Sequence, residues 1–401
     1  MRKTWSFATA GQLVFGESAT SQLGELLARR RIGRVLVVTD KQLAQAGMVD
    51  RVLGPLKEHS IAAEVFDGGK PEPPLDAVEA ALSQARQFQP DALVALGGGS
   101  NMDLAKATAV VLKHGGKPSD YFGCDKVPGP VLPLVCLPTT AGTGSEVSHA
   151  AVLTDTANHI KVSMLSIHLR PALAVVDPEL TYTCPRQVTA DSGMDALTHS
   201  IESLTAVDST ALEVPPGETS AYEGRYPLGY CLAEKAIELI GRYLRRAVED
   251  PSDVEARHNM AQAATIAGMS FSNCGVGLVH ALEYPLGGTV HCTHGAGNAL
   301  LLPHVMRYYL DVRQADLARV ARLLGRDTNG MTERQAAEAS IEAVVELSRA
   351  VGIPQRIRDL GGTETQLPAF AEKSFAIRRL MWISPRKPTQ DDLLAILRAA
   401  Y

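Results

Sequence analysis

The chain has no excess of basic charge. Its 39 lysines and arginines stand against 44 aspartates and glutamates, a formal net charge of −5. A nucleic-acid binder would carry a basic stripe, so that class is set aside. No uninterrupted apolar run reaches the 18 or more residues of a membrane-spanning helix, so no membrane partner is expected. The opening MRKTWSFATAGQLVFG holds cations at Arg2 and Lys3 but no apolar core of signal-peptide length. The six cysteines (Cys124, Cys136, Cys184, Cys231, Cys274, Cys292) contain no C-x-x-C pair. They read as reduced thiols of a cytoplasmic protein rather than as a disulfide framework. Internal repeats and low-complexity tails are also missing.

What is present is ordinary globular composition, 45% apolar and 21% charged over 401 residues. That length is enough for two or three domains with a full core. The first half alternates two patterns. Residues 34–39 (RVLVVT), 61–66 (IAAEVF), 91–96 (DALVAL), 133–137 (PLVCL) and 172–176 (ALAVV) read as short buried strands. Residues 44–59, 75–88 and 101–114 between them read as helices. This is the signature of βαβ units around a parallel sheet. Beyond Pro185 the strand pattern stops. Residues 187–207, 229–249, 253–273, 313–325, 333–352 and 390–400 have helical periodicity. Asp250-Pro251-Ser252-Asp253 and Thr389-Gln390-Asp391-Asp392 offer helix starts. The expected organisation is an α/β domain over 1–185 and an all-α domain over 186–401. One stretch stands apart: 208–229, rich in Pro, Gly and Tyr, is too long for a simple connection.

Two loops follow expected strands and favour close approach of a ligand. Gly97-Gly98-Gly99-Ser100 opens a helix that carries Asp103 and Lys106. Glycines admit the backbone of a partner, and free N–H groups at a helix start attract an anion such as a diphosphate. The spacing is not G-x-G-x-x-G, so the usual dinucleotide fingerprint does not apply. The second loop is Thr139-Thr140-Ala141-Gly142-Thr143-Gly144-Ser145-Glu146. Ligands of parallel sheets bind at the carboxyl ends of strands, where both loops sit. Asp40 ends the strand 34–39, where a carboxylate either accepts from ribose hydroxyls or caps the next helix.

A third constellation suits a cation. Asp195 and His199 are four apart on an expected helix and therefore share a face. Three of the eleven histidines, His280, His291 and His294, fall within fifteen residues. Asp195, His199 and two of these three would make an N/O set for a divalent first-row metal. The remaining histidines (His59, His114, His149, His159, His168, His258, His304) stand singly and are read as structural or solvated. Asp191 can cap the helix of Asp195, and Glu202 and Glu283 are further carboxylates within reach of this set.

Taken together, these motifs resemble the iron-containing (group III) alcohol dehydrogenases. The resemblance runs nearly end to end. It includes VVTD ending at Asp40, GGGSNMDLAK at 97–106, LPTTAGTGSEV at 137–147 and RPALAVVDPELT at 170–181. It continues through DSGMDALTHSIE at 191–202, GLVHALEYPLG at 277–287 and HGAGNALLLPHVMRY at 294–308. The resemblance implies a dinucleotide-binding α/β domain followed by a helical domain. It implies metal ligands at Asp195, His199, His280 and His294, with Fe2+ as the ion and Zn2+ as the alternative. It puts the NAD diphosphate on Gly98, Gly99 and Ser100, beside Asp103. Thr139, Thr140 and Lys161 line the cofactor site, and Asp40 favours NAD over NADP. The implied activity is NAD(H)-linked interconversion of a primary alcohol and its aldehyde, a metal polarising the substrate oxygen. The implied assembly is a homodimer or larger.

Two features depart from the family pattern. Tyr284 stands where many members have a histidine used in proton transfer. The insertion at 208–222 leaves the helix that carries Asp195 and His199, and so can reach the substrate pocket. Tyr284 and His291 are the candidate proton relay. Tyrosine at that position also occurs in sequences resembling hydroxyacid–oxoacid transhydrogenases, in which Arg170 or Arg225 would clamp a substrate carboxylate. A metal-free reductase of the same fold and a non-catalytic dinucleotide sensor complete the alternatives.

Overall fold

A computed structural model describes residues 2–156 and 160–401; His159 therefore lies outside the described residues. The chain divides into two compact units. One is Ala8–Cys184; the other is Pro185–Tyr401 together with the segment ending at Phe7.

In the first unit, strands β1 (Leu13–Phe15), β2 (Arg34–Asp40), β3 (Ala62–Gly69), β4 (Ala92–Gly97), β6 (Leu134–Pro138) and β9 (Leu173–Val176) form one parallel sheet. Its order is β1-β9-β6-β4-β2-β3. Helices α1 (Leu23–Arg29), α2 (Lys41–Gln45), α3 (Met48–Glu58), α4 (Leu75–Phe88) and α5 (Gly99–His114) connect these strands. Alternation along β2 explains the two faces. Val35 and Val37 pack with Leu27, Val52 and Leu56 of α1 and α3, while Leu36 and Val38 pack with Ala81, Leu82 and Ala105 of α4 and α5. Burial on both faces is why these strands read as continuous apolar runs. A smaller sheet, β5 (Gly123–Cys124), β8 (Ile160–Leu165) and β7 (Ala150–Asp155), has an antiparallel β7–β8 pair. The sequence reading did not anticipate it, nor α1 and β1. The expected helix 44–59 is broken at Gly47, whose φ of 74° is a left-handed turn, so it becomes α2 and α3.

The second unit is helical: α6 (Arg186–Thr205), α7 (Pro227–Glu249), α8 (Val254–Cys274), α9 (Leu278–Val290), α10 (His294–Tyr309), α11 (Gln314–Leu323), α12 (Glu333–Ala350), α13 (Leu367–Ala376), α14 (Arg378–Ile383) and α15 (Gln390–Ala399). Asp253 caps α8 by accepting from the Ala256 N–H, and Thr389 opens α15 in a capping box with Asp392. Helix α6 is buried along most of its length although it is rich in Ser and Thr. Those hydroxyls donate one turn back: Thr198 to Met194, Ser200 to Ala196, Ser203 to His199 and Thr205 to Ile201. The opening residues, which the sequence reading placed in the α/β domain, pack in this unit. Trp5 stacks on Tyr226 at 4.3 Å, and Arg2 pairs with Glu223 at 2.5 Å. Among the described residues no helix is long and apolar enough to cross a membrane.

One buried cation braces the first unit. Lys106 on α5 is fully buried, and its Nζ donates to Ser145 O, Ser145 Oγ, Ser148 O, Ser148 Oγ and Ala150 O at 2.8–3.2 Å. Burial lowers its pKa, while Asp103, Cys136 and Glu146 favour the charged form. Lys106→Met would leave these acceptors unpaired. The expected loss is about 3 kcal/mol, read as a lower melting temperature of the full chain.

Candidate functional site

Strands β2, β4 and β6 are neighbours and run parallel, so their carboxyl ends emerge on one side. The chain moves outward from β2 to β3 and returns to β4, making a switch point between β2 and β4 where such sheets bind ligands. The sequence-selected residues meet there. Asp40 Oδ1 caps α2, accepting from the N–H groups of Gln42 and Leu43 at 2.9 and 3.0 Å. Its Oδ2 accepts from Asn101 Nδ2 at 2.7 Å. Gly98 is the N-cap of α5 and has no side chain to occupy the helix start. The second loop lies directly against the first: the Thr139 N–H donates to Gly97 O at 3.0 Å. A Cβ on Gly99 would come within 2.9 Å of Thr143 Cγ2, so only glycine allows this approach. Ser100 Oγ accepts from the Glu72 N–H, and Glu72 pairs with Lys161 at 2.9 Å. Asp103 does something different from touching a ligand. Its oxygens accept from Ser145 Oγ at 2.8 Å and the Val152 N–H at 2.9 Å, tying the second loop to β7. The result is a helix start with open N–H groups, ringed by glycine and hydroxyls: a cradle for a diphosphate.

In the helical unit, three helices each present a pair of residues four apart: Asp195 and His199 on α6, His280 and Tyr284 on α9, His294 and Asn298 on α10. Ligand atoms of Asp195, His280 and His294 lie within 4.8 Å of one another. His199 adjoins them. Its Nε2 is 3.8 Å from Asp195 Oδ2, and its ring stacks between Phe271 at 4.2 Å and His280 at 5.0 Å. Of the three clustered histidines, His291 is the one left out. It is exposed and closes α9 with a φ of 57°. The close approach of α10 to α6 depends on Gly295, where a Cβ would sit 2.1 Å from Asp191 O.

The two glutamates near this set lie behind the histidines. His280 Nδ1 donates to Glu202 Oε2 at 2.5 Å, and Glu202 Oε1 accepts from the Val279 N–H at 2.7 Å. His294 Nδ1 donates to Glu283 Oε2 at 2.5 Å. Each carboxylate fixes the tautomer, so each Nε2 carries a lone pair toward Asp195. Burial alone would raise the Asp195 pKa. The positive charge of His199, His294 and His280 whenever they are protonated, and a hydrogen bond from Asn298, favour the carboxylate and hold its pKa below the ordinary value. Two imidazole lone pairs facing a buried carboxylate make a donor set that fits a divalent metal. Asp191 does not cap α6. It sits inside that helix and accepts from Thr293 Oγ1 at 2.7 Å, steadying the N-cap of α10. Asn298, which sequence reasoning missed, donates to Asp195 Oδ1 at 2.8 Å.

Tyr284 lies beside this set, its ring centroid 6.1 Å from that of His294. The segment 208–225 is pinned at its ends. Ser209 N–H donates to Arg225 O, and Arg225 pairs with Asp208 at 2.7 Å and Asp316 at 2.6 Å. Arg170 donates to Val147 O at 2.9 Å. Both arginines named as a carboxylate clamp thus have internal partners.

Comparison with known proteins agrees with this architecture. The family model described as iron-containing alcohol dehydrogenase matches residues 10–178, and that of the family's C-terminal region matches 223–401. A 1,3-propanediol dehydrogenase of Klebsiella pneumoniae is 38% identical over 389 residues, 96% of each chain. An NAD-dependent methanol dehydrogenase of Bacillus methanolicus is 34% identical, over 96% of this chain and 97% of that one. The crystal structure of a 1,3-propanediol oxidoreductase superposes with a TM-score of 0.93 at 36% identity, covering 100% of both chains. The loop geometry gives a direct expectation. Gly99→Val drives a side chain into Thr143 and weakens NADH binding on the order of tenfold or more, measured by fluorescence titration. Unchanged affinity would show that this loop does not hold the dinucleotide.

Proposed function

The chain belongs to the iron-containing alcohol dehydrogenase family, and from that premise we propose how its two units carry out the reaction. The protein is an oxidoreductase that interconverts an alcohol and its aldehyde. The observation that carries the metal reading is the convergence of Asp195, His280 and His294, with two ring nitrogens aimed by buried glutamates.

The α/β domain, expected from the sequence over 1–185 and compact over Ala8–Cys184, holds NAD. Gly98, Gly99 and Ser100 take the diphosphate at the start of α5, with Thr139, Thr140 and Lys161 around it. Asp40 Oδ2 accepts one bond from Asn101 and keeps a lone pair for a ribose hydroxyl. The same carboxylate repels a 2′-phosphate, which selects NAD over NADP. Asp103 acts by holding the second loop. The helical domain, residues 186–401, holds the ion on Asp195, His199, His280 and His294. Iron(II) is the ion by family, and the N/O set also accepts zinc. An ion held on these four residues would supply Lewis acidity, and a nicotinamide held by the first unit would supply the hydride donor or acceptor. Three neutral imidazoles and one carboxylate keep the centre net positive, which suits an oxygen that gains negative charge. Tyr284, one turn from His280 and beside His294, is placed to pass the alcohol proton outward, with exposed His291 as the terminus.

The relatives' names run from methanol and 1,3-propanediol to long-chain alcohols, so they support a primary alcohol as substrate class without a chain length. The internal partners of Arg225 and Arg170 disfavour a clamp for a hydroxyacid, so dehydrogenation is preferred to transhydrogenation. The absence of any disulfide among the described cysteines supports a cytoplasmic site of action. A homodimer or larger assembly follows the family.

The test is NADH oxidation by anaerobically purified, iron-reconstituted protein. Short neutral aldehydes are compared with acidic ones such as succinate semialdehyde, with chelator-treated protein as control. Turnover is expected with neutral aldehydes and lost with the chelator. Asp195→Ala lowers kcat on the order of 10³-fold and leaves NADH affinity unchanged. Undiminished turnover in that variant would instead favour a metal-free reductase.

A further inference from the structure

Asn298 is fully buried on α10, one turn beyond His294. Its Nδ2 donates to Asp195 Oδ1 at 2.8 Å and also lies 3.1 Å from His294 Nε2 and 3.2 Å from His280 Nε2. Its Oδ1 is buried with no hydrogen-bond partner among the described residues. The orientation of the amide follows from its surroundings. Both imidazoles have committed Nδ1–H to glutamates, so their Nε2 atoms are acceptors, as is the Asp195 carboxylate. An amide oxygen turned toward these three would face only lone pairs. The NH2 group is therefore held inward, even at the cost of an orphaned carbonyl.

We propose that Asn298 is a positioning residue of the metal centre, fixing the rotation of the Asp195 carboxylate and thereby setting ion affinity and coordination. This rests on the metal reading above. Two amide hydrogens are shared among three acceptors. An ion taken up by the two Nε2 atoms removes two of those acceptors and leaves the shortest bond, to Asp195 Oδ1. One carboxylate oxygen is then held by the protein, so Asp195 meets the ion in a set orientation rather than rotating freely. Glu202 and Glu283 do the same for the imidazoles. With Asn298, each of the three convergent ligands has a dedicated hydrogen-bond partner. The spacing His294-x-x-x-Asn298 is what places ligand and partner on one helix face.

The experiment uses cobalt(II) as the probe on the full chain, under anaerobic conditions. Affinity is read by chelator competition, coordination by the visible d–d absorption, and fold by NADH binding of the same samples. Asn298→Ala removes donor and volume. Asn298→Leu removes the donor but keeps the volume, which separates lost hydrogen bonding from lost packing. Both variants are expected to bind cobalt about 10–100-fold more weakly, with an altered d–d spectrum and unchanged NADH binding. Wild-type affinity and spectrum in both variants would overturn the proposal. So would tighter binding, because the NH2 group would then be a competitor of the ion rather than a support for its ligand. Wild type and His294→Ala are the controls. If these two bind cobalt alike, the metal reading itself fails and the proposal with it. If they differ while the Asn298 variants match wild type, only the proposal fails.

Discussion

Lone pairs from the Nε2 atoms of His280 and His294 and a carboxylate of Asp195 point at one another inside the helical unit, within 4.8 Å. Such a convergence of acceptors is unfavourable unless a donor or a cation is shared among them; Asn298 Nδ2 is the donor within reach of all three, and a cation would serve them more strongly. The arrangement persists because it is enforced from behind. Glu202 and Glu283 take the Nδ1 protons and leave the rings no other way to face. The helices must also come close enough. Gly295 lets α10 lie against the backbone of α6, and Asp191 on α6 steadies the first turn of α10 through Thr293. The hydroxyls of Thr198, Ser200 and Ser203 bond carbonyls of their own helix, which lets this polar helix be buried.

The α/β unit solves the opposite electrostatic problem. In our proposal its site attracts an anion, which suits the helix start it presents, capped by glycine rather than by a side chain. The second of the loops around that start is largely buried, Val147 fully so, and its polar groups need partners. They are braced by Asp103 and by the buried Lys106, which together bond Ser145, Ser148, Ala150 and Val152. The spacing of Asp103 and Lys106 on α5 is thus explained by loop support, one layer behind the glycines.

Much of this was legible in the chain. The parallel strands showed as apolar runs because both faces of the sheet are covered, and the long helices showed by periodicity. Helices α9 and α10 did not, although they carry His280 and His294. Pro285, Gly287 and Gly288 break the pattern of the one, and Pro303 that of the other; packing overrides propensity there. Strands β7 and β8 are short, six residues each, and broken by polar Thr154, Asp155, Lys161 and Ser163. Asp195 and His199 share a helix and were visible as a pair. Glu202 and Glu283 were read as possible carboxylate ligands and instead bond His280 and His294, and Asn298 was missed, because each acts on a histidine or an aspartate through the fold. Glu202 reaches His280 across 78 positions, and Asn298 reaches Asp195 across 103. Tyr284 and the segment 208–225 showed as departures from pattern. The structure locates the first beside His294, and ties the second to α8 and the opening residues through Glu223.

In our proposal this chain binds a divalent ion through imidazoles and one carboxylate. The decisive measurement is X-ray absorption of the protein loaded with one equivalent of iron(II). Nitrogen and oxygen ligands are expected at roughly 2.0–2.2 Å, with the outer scattering of several imidazole rings that disappears in step with His280 and His294 substitution. An all-oxygen shell without imidazole scattering, or iron that washes off as readily from the wild type as from Asp195→Ala, would contradict it.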